Sequence, residues 1–220
     1  MDEQWRTTFA SWAQRPAFRR LVVVTLEAIA ADLARARRPY VAWSGGKDST
    51  VLAHLARRVD ATIDVVCGTS GARVQAEVVE LVGLARCQGI DLICHSFPPA
   101  DERWDIAIVA LRREESLRRR RRMDAGTAGI KRGRESWPMA DWTWLDVWAY
   151  IVEHGIPYHP VYDRQAELGI GYDRSRYHWS FSGDPRAEAL AVDGLIRWRW
   201  RHAARTGSER ADGAGISGGV

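Results

Sequence analysis

The chain reads as an α/β domain, a mainly parallel sheet with helices on both faces. Three observations carry that reading. Short apolar runs alternate with longer stretches of helical period, the pattern of strand–helix–strand units. The run Ile106-Ala107-Ile108-Val109-Ala110-Leu111 is apolar throughout, as suits a strand buried on both faces, although its alanines also tolerate a helix. Finally, Ser44-Gly45-Gly46 and Gly68-Thr69-Ser70-Gly71 follow apolar runs directly. In open parallel sheets ligands bind beyond the carboxyl ends of the strands, so these turns converge on one edge.

Taken in order, residues 1–38 form a helical segment that packs on the core. Leu21, Val22, Thr25, Leu26, Ile29 and Leu33 recur at helical spacing up to Pro39. Tyr40-Val41-Ala42-Trp43 is the first strand, and a helix spans roughly 49–58. A second strand covers 62–67, followed by a helix at about 73–86 that stops near Gly89. Residues 90–97 make a third strand, closed by Pro98-Pro99, and 106–111 a fourth. Residues 126–136 are rich in Gly and Arg and read as a loop over the ligand edge. Trp144 to His154 is helical, with Thr143 as N-cap and Gly155 at its C-terminal end. The main α/β domain is thus 39–165. Residues 166–205 form a small, mostly helical C-terminal extension, with an amphipathic helix from Pro185 carrying Trp198 and Trp200. The Gly- and Ser-rich tail, 206–220, reads as disordered.

The 220 residues suffice for one α/β core and a modest appendage. No apolar stretch is long enough to span a membrane, and Met1-Asp2-Glu3-Gln4 lacks the build of a secretory signal. Three cysteines, Cys67, Cys87 and Cys94, form neither a disulfide framework nor a CxxC pair, so a reduced, cytoplasmic location is expected. The six histidines show no metal-ligand spacing, and most of the eleven tryptophans suit packing. The net charge of +4 is uneven: Arg118 to Arg122 are consecutive. That run is either a solvated helix face or a contact for polyanions, nucleic acid included.

Chemistry concentrates in Ser44-Gly45-Gly46-Lys47-Asp48-Ser49, between the first strand and its helix. A strand that turns through two glycines into a helix aims the first-turn N–H groups at the turn, where an anion is favoured. Gly45 and Gly46 let backbone wrap the anion closely, Lys47 adds charge, and Ser44 and Ser49 add hydroxyls. It is not a Walker A loop, which needs Gly at the position of Val41 and Ser or Thr at that of Asp48. The hexapeptide resembles the pyrophosphate-binding loop (PP-loop) of the adenine nucleotide alpha hydrolase superfamily, whose members break adenylyl anhydrides at the α-phosphate.

A second motif, Arg112-Arg113-Glu114-Glu115-Ser116-Leu117-Arg118-Arg119, is similar to the R-x-x-E-S-x-x-R signature of the phosphoadenosine phosphosulfate (PAPS) reductase family. Arg112 and Arg119 can clamp sulfate or phosphate, with Glu115 holding one of them. Alone, the segment would read as a charged helix start with local ion pairs. A third stretch, from Pro138-Met139-Ala140-Asp141-Trp142 through Gly155-Ile156-Pro157 to Val161-Tyr162-Asp163, looks like a further segment of the same family. Its caps, core tryptophans and proline turns make it evidence of fold.

The resemblance implies a five-stranded sheet of the adenine nucleotide alpha hydrolase kind. It implies ATP, adenylyl sulfate or PAPS as ligand, with catalytic Lys47, Arg112 and Arg119. Ser44 to Ser49, Thr69, Glu115 and Ser116 would line the nucleotide, and Asp48 would either hold a magnesium ion bridging phosphates or cap the helix. The family's reductases carry a C-terminal catalytic cysteine, and some hold an iron–sulfur cluster through paired cysteines. Here no cysteine follows Cys94, so no such cluster is expected and self-contained thiol reduction is in doubt. Cys67, at a strand end, reads mainly as a small apolar side chain.

The expectation is therefore an enzyme acting at the α-phosphate anhydride in sulfur chemistry. Three alternatives stand beside it: a reductase that uses a thiol or sulfur-carrier partner protein, the ATP-activating subunit of a nucleic-acid sulfur-modification system, and a catalytically silent nucleotide-binding partner. The oligomeric state is not encoded in any of these features.

Overall fold

The computed structural model describes residues 1–68, 75–95, 103–125, 134–167, 169, 171–173 and 175. Five strands, β1 (Pro39–Ala42), β2 (Asp64–Gly68), β3 (Leu92–His95), β4 (Ile106–Val109) and β5 (Arg134–Ser136), form one sheet in the order β3-β2-β1-β4-β5. Every pairing is parallel; Val41 aligns with Val65 on one side and with Ile108 on the other. Parallel neighbours need crossovers, and right-handed crossovers that step in opposite directions from β1 put their helices on opposite faces. The order reverses between β1 and β4, so the ligand crevice of such a sheet lies at the ends of those two strands.

Two helices precede the sheet, α1 (Glu3–Ala13), capped by Asp2 at the Trp5 N–H, and α2 (Pro16–Arg35), with proline in its first turn. α3 (Lys47–Val59) follows β1, and α4 (Gln75–Cys87) joins β2 to β3. After β4 come a single 3-10 turn (Arg113–Glu115) and α5 (Leu117–Asp124). α6 (Trp144–Glu153) and α7 (Val161–Glu167) are the last helices among the described residues. Thr143 caps α6 through a reciprocal box with Asp146, and Gly155 ends it with φ +59°.

The core joins β1, β2 and β4 (Val41, Val65, Val66, Ile108) to the inner face of α3 (Val51, Leu52, Leu55) and to α6 (Val147, Trp148, Tyr150). Phe9 of α1 stacks on Trp148 at 6.0 Å, which anchors the first helix to the domain. Two differences from the sequence reading stand out. Residues 134–136, read as loop, are the edge strand β5, and residues 161–167, read within a turn-rich stretch, form α7. Beyond residue 175 the C-terminal extension, with its helix from Pro185, and the tail lie outside the described residues. No helix among the described residues is long and apolar enough to cross a membrane.

Candidate functional site

The loop from β1 to α3 sits at the reversal point. Gly45 turns it with φ +82°, a conformation that a side chain disfavours. Gly46 is the N-cap of α3 and offers no side-chain cap. The serines brace the turn: Ser49 Oγ accepts from the Ser44 N–H (3.1 Å), lies 3.1 Å from Ser44 Oγ, and donates to the Gly46 carbonyl (2.9 Å). Since the Ser49 proton goes to Gly46, the Ser44 hydroxyl donates to Ser49. The loop is thereby shaped by its own residues.

Lys47 is only 1% exposed. Its backbone N–H donates to the Tyr162 hydroxyl (2.8 Å) and its Nζ to the Ser175 carbonyl (3.1 Å), with Asp48 Oδ2 at 3.4 Å. The acceptors come from the segment after α6, which is itself fastened. Tyr158 and Tyr172 both donate to Asp163, the Trp148 indole donates to the Tyr172 carbonyl, and Ser175 Oγ donates to the same carbonyl. Burial, with the Asp163 carboxylate beside them, holds both phenols above the ordinary tyrosine range.

Arg112, three residues past the end of β4, is as enclosed as Lys47. Its Nε donates to Asp48 Oδ1 at 2.5 Å, and Nη1 lies 3.5 Å from Glu114 Oε2. That Nη1 is nonetheless buried without a hydrogen-bond partner. A buried guanidinium donor left unsatisfied is costly, and an oxyanion ligand would remove the cost. The two carboxylate oxygens of Asp48 thus face Arg112 and Lys47, two cations. This arrangement does not fit a magnesium ligand, and the N-cap role belongs to Gly46; among the described residues no group of three or more metal-ligating side chains occurs.

Glu115 Oε2 accepts from the Arg112 N–H (2.9 Å) and pairs with the Arg119 guanidinium, so it links the two arginines. Ser116 is the N-cap of α5, its Oγ accepting from the Arg119 N–H at 3.1 Å. Arg119 and Glu115 are therefore one step removed from the loop, whereas Arg112 reaches it through Asp48. Within the arginine run, Arg122 pairs with Glu135 (2.9 Å) and lies over the Trp137 ring, while Arg120 and Arg121 are exposed. Thr69 lies outside the described residues. Cys67 is buried on β2 with its Sγ 3.7 Å from the Gly68 carbonyl. Tyr162 and the Ser175 carbonyl were not anticipated; the pattern around Val161-Tyr162-Asp163 marked the segment but not its contact with Lys47.

Residues 100–176 match the family model for the phosphoadenosine phosphosulfate reductase domain. An adenosine 5′-phosphosulfate reductase of Lysinibacillus sphaericus is 28% identical over 99 residues, 45% of this chain and 38% of that protein. One from Geobacillus thermodenitrificans is 39% identical over 57 residues, 26% of this chain and 24% of that one. A phosphoadenosine 5′-phosphosulfate reductase of Xanthomonas campestris is 43% identical over 42 residues, 19% and 17% of the two chains. The chain thus spans well under half the length of these curated relatives. Among solved structures, a Candida glabrata FMN adenylyltransferase in complex with ATP is similar, with TM-score 0.48, 11% identity and coverage of 73% and 66% of the two chains. Through residues 100–176 the chain is similar to the phosphoadenosine phosphosulfate reductase domain.

Proposed function

We propose that the chain binds an adenine nucleotide, ATP or a sulfated adenylyl nucleotide, and acts at the anhydride bond to its α-phosphate. The observation that carries the reading is Arg112. Its buried, unsatisfied Nη1 lies at the point where the sheet order reverses, tied through Asp48 to the glycine loop. Anion-binding geometry and a guanidinium with unspent donor capacity meet there. The relatives, named for adenylyl sulfate and PAPS, supply the ligand class.

In this reading the acceptor attacks the α-phosphorus, the bridging P–O bond breaks, and its electron pair leaves on pyrophosphate or sulfate. The N–H groups around Gly45 and Gly46, with Lys47 and Arg112, stabilise the charge that builds on the leaving group. Arg119 acts through Glu115, which holds the Arg112 backbone. Positioning and electrostatics suffice for such a transfer, and no general base is required. No step is routed through a metal at Asp48.

A second reading follows from the names of the relatives and the burial of Cys67: reduction of a sulfated nucleotide by a thiol from a partner protein. One experiment separates the two. The protein is titrated with ATP, adenylyl sulfate and PAPS, and products are analysed for pyrophosphate against sulfite, with and without a thioredoxin system. Pyrophosphate from ATP supports the first reading. Steady sulfite release gives way to the second, and absence of nucleotide binding overturns both.

A further inference from the structure

A cavity of about 210 Å³ opens between α3, the end of α4 and the turn after α6. Thr50, His54 and Arg57 line it from one face of α3, Gln88 and Ile90 from the turn after α4, and His154 from the end of α6. Two of these groups have unspent capacity. Arg57 has no hydrogen-bond or ion-pair partner among the described residues, in contrast to Arg58, which donates to the Tyr150 hydroxyl. The Gln88 Nε2 donates to the Pro157 carbonyl at 2.8 Å, which fixes the amide orientation. Its Oε1 is then left buried with no partner at all.

His54 completes the set. Its Nδ1 lies 3.0 Å from the Tyr150 hydroxyl, which already accepts from Arg58 and so gives its own proton to the ring. The remaining ring nitrogen, Nε2, carries the hydrogen. Burial, His154 and the neighbouring arginines lower the ring's pKa to about 4, so the imidazole is neutral near pH 7. The cavity therefore presents a cation, a neutral N–H donor and an orphaned amide acceptor.

We propose that this cavity binds a small α-hydroxycarboxylate, its carboxylate on Arg57 and its hydroxyl donating to Gln88 Oε1. The volume is about seven times the roughly 30 Å³ share of a water, ample for such a molecule and below the usual size of a nucleotide or drug-sized site. Sulfate satisfies Arg57 but sets a bare oxygen against the Gln88 acceptor, and a plain carboxylate satisfies Arg57 but leaves that acceptor unpaired. The hydroxyl is what resolves that conflict. The inference stands apart from the nucleotide reading, because none of its residues belongs to the loop at 44–49 or to Arg112.

The test is calorimetric titration of the full chain near pH 7 with glycolate, and with acetate and sulfate as controls. Glycolate is expected to bind about tenfold more tightly than acetate, a difference of one good hydrogen bond. Arg57→Met should abolish binding of both carboxylates, and Gln88→Leu should erase the preference while weak binding persists. A second readout uses Cys87, exposed at the cavity's rim: glycolate should slow its alkylation and leave that of exposed Cys94 unchanged. The protection at Cys87 decides the matter should Arg57→Met fail to fold. No binding, equal binding of acetate and glycolate, unchanged binding by a folded Arg57→Met, unaltered Cys87 alkylation, or displacement of glycolate by ATP would each overturn the proposal.

Discussion

Asp48 and Arg112 join the two strand ends that flank the reversal of the sheet, with Arg112 Nε 2.5 Å from Asp48 Oδ1 although 64 residues separate them. Arg112 is 1% exposed on its side chain and Asp48 17%, so water screens the pair little. Removing one partner of such a pair strands the other charge, which typically costs about 3–5 kcal/mol. Asp48→Asn keeps the shape and one acceptor, and Glu114 remains beside Arg112. The expected loss is therefore near the lower bound, about 3 kcal/mol by urea unfolding. The double variant Asp48→Asn/Arg112→Met should recover part of it, whereas purely additive losses would mean that the two side chains are not coupled.

Gly45→Ala tests the turn itself. At φ +82° an alanine pays the left-handed penalty of about 1–2 kcal/mol, or the loop relaxes and its N–H groups lose their shared aim. In either case ATP affinity is expected to fall more than stability does. A thermal melt beside a nucleotide titration measures both. Unchanged affinity in a folded Gly45→Ala would mean that the turn is architecture without a ligand.

What could be read from the sequence divides along the range of the forces involved. Thr143 and Gly155 marked the ends of α6 because capping is chemistry between residues three or four apart. The glycine loop was legible for the same reason. β5 was not: Arg134-Glu135-Ser136 has no apolar alternation, and its strand character comes from pairing with Ile106–Ile108 of β4. Likewise nothing local announces that Lys47 meets Tyr162 and the Ser175 carbonyl, 115 and 128 residues away. The sequence marked Lys47 as a charge for the ligand. The fold encloses it and makes the segment after α6 part of its environment.

His54 gives a pH dependence with a definite sign. Its folded pKa, about 4, lies below the ordinary 6.5, so between those values the unfolded chain binds more protons. Stability is then unaffected by this ring above pH 6.5, falls as pH drops toward 4, and levels off below. The ring is half-buried, so solvent screening trims the effect to about 1–2 kcal/mol. Urea midpoints from pH 7 to 4.5 should decline more steeply for the wild type than for His54→Gln. Parallel curves would show that the ring is not held neutral by its surroundings.

Tyr162→Phe and Asp163→Asn probe, from adjacent positions, how the segment after α6 governs Lys47. The Tyr162 hydroxyl accepts the Lys47 backbone N–H at 2.8 Å, so the phenylalanine variant removes a partner from a buried helix-start donor. A net loss of about 1–2 kcal/mol is expected, with the N–H left to seek another acceptor. Asp163 does not touch Lys47 at all. It accepts from both Tyr158 and Tyr172, and Tyr172 holds Ser175 through its carbonyl. Loosening that knot should release the Lys47 ammonium from the Ser175 carbonyl. If Lys47 serves the nucleotide, Asp163→Asn should therefore change the salt dependence and affinity of ATP binding while Tyr162→Phe mainly lowers stability. Equal effects of the two variants on both measurements would mean that this segment supports α3 without setting the position of the ammonium.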